Sequence, residues 1–292
     1  MAGKNERQRR QARERHRRQQ EARLARQRQV RKRWAIGTLA VLVAAGVGTL
    51  LLIFLPGGGH QKAAASPTKK ASASPTATAK AVAEPAHHCD YTSASPAAKK
   101  VSLPPATPDY TNSYQATINT NLGKISFNLL NSKATCTVNS FVHLAEAGYF
   151  DNTQCHRLLT SGIYVLQCGD PYATAGAKLS CSTTSKIGTG TPGYDFASEN
   201  LTGAKYPTGT VAMANEGTAN SNGSQFFIVY KDSTSGLNGS TGPSYTPFAT
   251  VSSGLGIVQN VAKDGYSCQY AQTGGGVPKK KVLIDSVTIK KT

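Results

Sequence analysis

From Tyr114 onward the chain alternates polar and apolar positions. Ala116 and Ile118 are set apart by Thr117 and Asn119, and Ile125, Phe127 and Leu129 repeat the alternation after Asn121-Leu122-Gly123. Successive side chains of a strand point to opposite faces, so two such runs around turn residues predict a β-hairpin over residues 114–120 and 124–130. The period then changes. Val138, Phe141, Val142 and Ala145 stand at i, i+3, i+4 and i+7, the apolar stripe of a helix, with Thr135 or Thr137 placed to cap its start and Gly148 to end it. Short apolar runs between Gly-rich turns follow, and Val282, Ile284, Val287 and Ile289 predict a closing strand. One hairpin, one helix and many short strands predict a mainly β fold, an antiparallel barrel closed by few helices. About 180 residues are enough for one such core.

A different pattern precedes this domain. Residues 34–55, from Trp34 to Leu55, are 22 positions without a charged side chain. A helix of that length spans about 30 Å of hydrocarbon, which predicts a transmembrane segment. Residues 1–33 hold 14 Lys/Arg against 3 Glu, so +11 of the chain's net +18 lies there. Basic flanks stay cytoplasmic, which predicts a single-pass protein with its C-terminal bulk outside the cell membrane. The basic block abuts the apolar span, so it reads as a topology signal and not as a nucleic-acid site. A cleaved signal sequence ending at Ala63-Ala64-Ala65 is the alternative. Residues 56–112 are rich in Ala, Ser, Thr, Pro and Lys without apolar periodicity, the composition of a disordered stalk. The predicted layout is a basic tail over 1–33, a membrane helix over 34–55, a linker over 56–112 and a folded domain over 113–292.

Six cysteines, Cys89, Cys136, Cys155, Cys168, Cys181 and Cys268, suit an oxidising compartment. Cys155 and Cys168 fall on strands expected to run adjacent and antiparallel, and are the predicted pair. There is no Cys-x-x-Cys, and His87-His88-Cys89 has no second ligand pair at zinc spacing, so no metal site is assigned.

Most familiar chemistry is missing from the folded part. His143 and His156 have no nucleophile in a recognisable context, and neither a Gly-x-Ser-x-Gly nor a His-Glu-x-x-His motif occurs. Gly188-Thr189-Gly190-Thr191-Pro192-Gly193 matches a dinucleotide fingerprint by letter, but Tyr-Asp-Phe follows it where a helix N-terminus is needed. Arg157 stands apart. Alternation along residues 155–159, 166–169 with Val165 just before it, and 224–230 assembles Arg157, Val165, Gln167, Gln225 and Phe227 on one outer face, while Phe226, Ile228 and Tyr230 turn to the core.

These segments carry a family resemblance. Cys155-His156-Arg157, Gln167-Cys168-Gly169-Asp170, Met213-Ala214-Asn215 and Asn220-Ser221-Asn222-Gly223-Ser224-Gln225-Phe226-Phe227 resemble the motifs of cyclophilins, over about residues 114–290. The resemblance implies a closed eight-stranded antiparallel β-barrel with two capping helices and peptidyl-prolyl cis–trans isomerase activity without any cofactor. It implies Arg157 as the catalytic residue, Gln167 and Asn215 gripping the peptide backbone, Gln225 beside them, and Phe227 as the floor of the proline pocket. Tyr164, Val165 and Tyr245 fall at further pocket positions, with Leu237 a weaker candidate. The implied partners are proline-containing segments of exported polypeptides, met by a monomeric catalytic domain. The pocket tryptophan of many members is absent, since Trp34 is the sole tryptophan, and Glu216 puts an acid where alanine is common. A cyclophilin-shaped scaffold that binds proline peptides without turnover is the second reading.

Overall fold

The computed structural model describes residues 86–292, apart from residues 95, 219, 240, 241, 243 and 272. The expected basic tail, membrane helix and greater part of the linker lie outside the described residues. Among the described residues no helix is long and apolar enough to cross a membrane.

The predicted hairpin forms as β2 (Tyr114–Thr120) and β3 (Gly123–Leu129), with Ile118 opposite Ile125 and Ala116 opposite Phe127. Both pairs point inward and are buried. The predicted closing strand is β13 (Leu283–Lys291), which runs antiparallel along β2. The other strands are β1 (Tyr91–Ser93), β4 (Thr153–Gln154), β5 (Arg157–Ser161), β6 (Ile163–Cys168), β7 (Tyr194–Phe196), β8 (Thr210–Met213), β9 (Phe226–Val229), β10 (Pro247–Ser253), β11 (Tyr266–Gln269) and β12 (Gly276–Pro278). The fold is therefore mainly β and antiparallel, as expected.

Strand number and closure differ from the expectation of eight strands in a closed ring. Among the described residues the ladder is open and has eleven strands in the order β11-β12-β5-β6-β9-β8-β10-β3-β2-β13-β4, beside a separate β1-β7 pair. The physical reason sits at Cys155-His156. Thr153 and Gln154 pair with β13, then the chain turns. Cys155 N–H still donates to Val282 O at 3.0 Å, whereas His156 N–H donates to Gln167 O at 3.0 Å on β6. One run thus serves two partners as two strands, and the β11-β12 hairpin adds a further edge beyond β5.

Helices number three among the described residues, not two: α1 (Thr135–Glu146), the short α2 (Thr234–Asn238) and α3 (Leu255–Asp264). The stripe Val138, Phe141 and Ala145 of α1 is buried, as its spacing predicts. Its start is not capped by Thr135 or Thr137. Instead Glu199, 62 residues away from Thr137, accepts the Thr137 N–H at 2.7 Å and the Cys136 N–H at 3.1 Å. A carboxylate there satisfies orphan donors and meets the positive end of the helix dipole.

The folded region also begins earlier than Tyr114. Residues 86–112 lie along the domain instead of standing off as linker. Cys89 is bonded to Cys136 on α1, β1 pairs with β7, and Lys99 Nζ donates to Gly148 O and Tyr149 O at 2.7 and 3.0 Å. Low-complexity sequence becomes ordered here because a covalent bond and a few buried contacts offset its chain entropy. His87, in the His87-His88-Cys89 run to which no metal site is assigned, stacks on Tyr110 at 4.1 Å between ring centroids.

Candidate active site

The site is a product of strand register. Arg157 pairs with Gln167 across β5 and β6, Gln167 with Phe227 across β6 and β9, and Phe227 with Ala212 across β9 and β8. Directly opposed residues share a face, so these four line up across the outer surface. One step along, Leu159, Val165 and Val229 form a second row on that face. Leu158, Leu166, Ile228 and Val211, in the intervening positions, belong to the main core.

The first half of the site is polar. Arg157, half-buried, donates through Nη1 to Gln167 Oε1 at 3.1 Å. Gln167 Nε2 donates to Gln225 Oε1 at 2.9 Å, and Gln225 Nε2 donates to Gly188 O and Gly190 O at 3.2 and 3.1 Å. Each amide is oriented by the next, so the guanidinium rests against a fixed chain. On its other side Arg157 Nε donates to Gly274 O at 3.0 Å, and Nη2 to Thr273 O. A guanidinium has five N–H donors. Among the described residues three are engaged, which leaves one on each Nη. Burial lowers the Arg157 pKa from its ordinary value, while Tyr245 and Tyr270 raise it. It stays cationic because guanidinium does not deprotonate in proteins.

The loop that Gln225 holds is anchored from behind. Buried Asp170 accepts the Gly188 N–H and, at 2.9 Å, the Tyr172 N–H. Burial raises its pKa, against the hydrogen bonds that lower it. Gly169 before it has φ 84° and lies against the Ser224 main chain, where a Cβ would collide. The Gly188–Gly193 stretch that mimics a dinucleotide fingerprint is thus a wall of this site.

The second half is apolar. Phe227 is only 4 % exposed and sits in a cluster with Leu159, Val165, Tyr206, Ala212, Val229 and Leu237. Half-buried Ile163, Ala214 and Tyr245 edge it, and the Tyr245 ring stands at 81° to Phe227 with centroids 5.5 Å apart. Asn215 borders the polar half in a cleft of about 90 Å³ with Gln167, Gln225 and Glu216. Its side-chain amide donates to Ser244 O at 2.7 Å and accepts the Gly217 N–H at 3.0 Å.

Arg157, Val165, Gln167, Gln225, Phe227 and Tyr245 therefore come together, with Asn215 alongside. Tyr164 does not join them. It is one residue out of phase with Val165, so it turns to the other face, packs edge-on to Tyr230 at 6.0 Å and lies under Lys231 Nζ at 4.5 Å. Its expected place at the pocket belongs to Ile163, which the period-2 rule applied to Val165 and Gln167 would have found. Tyr206 was also missed, because it sits on a loop with no periodicity. His156 faces away from Arg157, is buried, and among the described residues has no hydrogen-bond partner on either ring nitrogen. Burial first, and the Arg157 charge second, push its pKa down to about 3.

The cysteines complete the frame. Cys155 pairs with Cys168 as the strand argument predicts, and Cys181 with Cys268 beside Arg157. Cys181, His156, Tyr270 and Arg157 border a second cleft of about 190 Å³.

The family model described as cyclophilin type peptidyl-prolyl cis-trans isomerase/CLD matches residues 115–289. A probable peptidyl-prolyl cis-trans isomerase B of Mycobacterium leprae is 40% identical over 221 residues, which cover 69% of this chain and 66% of the relative. Its counterpart in Mycobacterium tuberculosis is 40% identical over 222 residues, covering 69% of this chain and 64% of the relative. The chain thus spans just under two thirds of the length of these relatives. A crystal structure of a Cryptosporidium parvum cyclophilin type isomerase superposes with a TM-score of 0.49 at 24% identity, over 62% of this chain and 99% of that one.

Proposed function

The chain belongs to the cyclophilin type peptidyl-prolyl cis-trans isomerase family, and from that premise and the geometry of the β5-β6-β9-β8 face we propose that it isomerises X-Pro bonds. A peptide bond resists rotation by about 18–20 kcal/mol because nitrogen shares its lone pair with the carbonyl. Before proline both isomers are populated, yet they exchange in tens of seconds or more. A catalyst must favour the twisted amide over either planar form. In this reading the proline ring lies on Phe227, walled by Val165, Leu159 and Tyr245. Gln167 and Asn215 hold the flanking backbone. The remaining Nη donors of Arg157 meet the carbonyl oxygen and the imide nitrogen, whose lone pair is freed at the twist. No covalent intermediate is formed.

One observation carries the proposal: a half-buried guanidinium, oriented by Gln167, stands two strand pairings from Phe227, the aromatic centre of an apolar cluster on the same face. The isomerase names of both mycobacterial relatives support it. The test is exchange spectroscopy on an X-Pro peptide with the full-length chain. The wild type accelerates cis–trans exchange, and Arg157→Ala lowers kcat/KM by about 10²–10³, the usual effect of losing one transition-state donor. An unchanged rate in a folded Arg157→Ala variant removes Arg157 from the mechanism.

The clients in this reading are exported proteins. Three disulfides among the described residues support an oxidising compartment, and the basic block before residues 34–55 supports a cytoplasmic N-terminus with a membrane anchor. Exposed Glu216 and half-buried Asp195 bring negative charge to the Asn215 cleft, which favours a basic residue near the proline. A second reading, binding without turnover, is favoured by the Thr273 and Gly274 carbonyls that already engage Arg157. It predicts saturable peptide binding with no exchange enhancement in the same experiment.

A further inference from the structure

Tyr206 is fully buried, yet it carries a hydroxyl into the apolar cluster. A buried hydroxyl needs partners, and this one has two on a single residue. It donates to Tyr245 O at 2.6 Å and accepts the Tyr245 N–H at 3.3 Å. The Tyr206 main chain is itself pinned. Its N–H donates to Thr234 Oγ1 at 2.9 Å and its carbonyl accepts the Ser233 N–H at 3.0 Å, both at the start of α2. That helix supplies Leu237 to the same cluster. Tyr206 therefore ties the start of α2 and the segment at Tyr245 to one residue of the Phe227 cluster.

We propose that Tyr206 is a positioning residue for the proline pocket: its hydroxyl clasps the Tyr245 main chain and so holds the Tyr245 ring edge-on to Phe227. The idea rests on the proline-pocket reading given above. The Tyr245 side chain makes its ring contact with Phe227, but its place is set through its backbone, at both N–H and C=O. Fixing both groups leaves the residue little freedom to swing off the pocket, so the wall is preorganised before a peptide arrives. Burial raises the Tyr206 pKa, so the hydroxyl remains a donor at neutral pH.

The test is Tyr206→Phe in the full-length chain, which keeps the ring and deletes the clasp. Peptide titration by NMR is expected to show Kd for an Ala-Pro peptide about fivefold weaker, the equivalent of about 1 kcal/mol for the lost bonds. KM should rise by the same factor while kcat holds, since the chemistry at Arg157 is untouched. Combining Tyr206→Phe with Tyr245→Ala should add nothing beyond Tyr245→Ala alone, because the hydroxyl acts only through Tyr245. An unchanged Kd, a fall in kcat instead of a rise in KM, or additive losses would each overturn the assignment. If the Phe variant does not fold, wild-type tyrosine signals decide: Tyr206 and Tyr245 should shift on one saturation curve, and a silent Tyr206 overturns the role. Wild-type binding without turnover, with the Tyr206 dependence intact, would overturn the isomerase reading and leave the positioning role standing.

Discussion

The two faces of strands β5, β6, β9 and β8 differ in kind although single residues alternate between them. The inner face carries Leu158, Leu166, Phe226 and Ile228 into the main core, where Phe226 meets Phe141 and Phe150 edge-on at 5.6 and 5.7 Å. The outer face carries Leu159, Val165, Phe227 and Val229 into a smaller cluster, rimmed by half-buried side chains and continued by Arg157 and Gln167. The inner set is sealed, so its apolar area counts toward folding. The outer set is bounded by half-buried Ile163, Ala214 and Tyr245, and in the proposed function that rim is where a peptide meets it. In the proposed function, neighbours such as Phe226 and Phe227 divide stability from recognition by nothing more than the strand period.

That division can be broken at its sharpest point. Phe226→Ala opens a cavity inside the core and is expected to cost about 3–5 kcal/mol in denaturant unfolding, with peptide affinity unchanged in the fraction that folds. Phe227→Ala should cost less, since its cluster is smaller and rimmed by half-buried side chains that can relax, and should abolish most peptide binding. Equal stability losses with equal effects on binding would erase the distinction between the faces.

His156 and Arg157 sharpen it further, being adjacent residues on opposite sides. His156 titrates near 3 when folded against 6.5 when free. Between those pH values the unfolded chain binds a proton that the folded chain does not, so stability rises with pH and falls on acidification, by about 1.4 kcal/mol per pH unit from this one group. In His156→Leu that increment should vanish from the pH dependence of unfolding relative to wild type, while kcat/KM at neutral pH holds. Parallel stability curves for the two proteins would show that the imidazole is not the acid-labile group. The smallest effect belongs to the rim. Glu216→Gln should lower a preference for Lys over Glu beside the proline by about twofold, as an exposed charge pair does, and the ratio of kcat/KM for paired peptides measures it.

Legibility followed range. The β2-β3 hairpin, the α1 stripe and the shared face of Arg157, Gln167 and Phe227 depend on local periodicity, and each formed with the expected phase. Cys155–Cys168 was readable because neighbouring strands bring those residues together. Tyr164 was misplaced through alignment by motif, where alternation with Gln167 pointed to Ile163. The Glu199 cap, the Cys89–Cys136 and Cys181–Cys268 bonds and the clasp of Tyr206 on Tyr245 join positions 39 to 87 residues apart. Nothing in their local sequence marks one partner for the other.

What the amino-acid order determined by itself is which side chains share a face, because a strand turns by half a revolution per residue and a helix by 3.6 residues per revolution whatever surrounds them. Tertiary structure alone decided which faces meet: that the run through Cys155-His156 divides between two partners, that residues 86–112 lie against α1, and that Tyr206 bonds the start of α2 through its main chain and Tyr245 through its hydroxyl. Those outcomes depend on burial and hydrogen-bond satisfaction summed over segments distant in the chain, and such a sum exists only once the chain is folded.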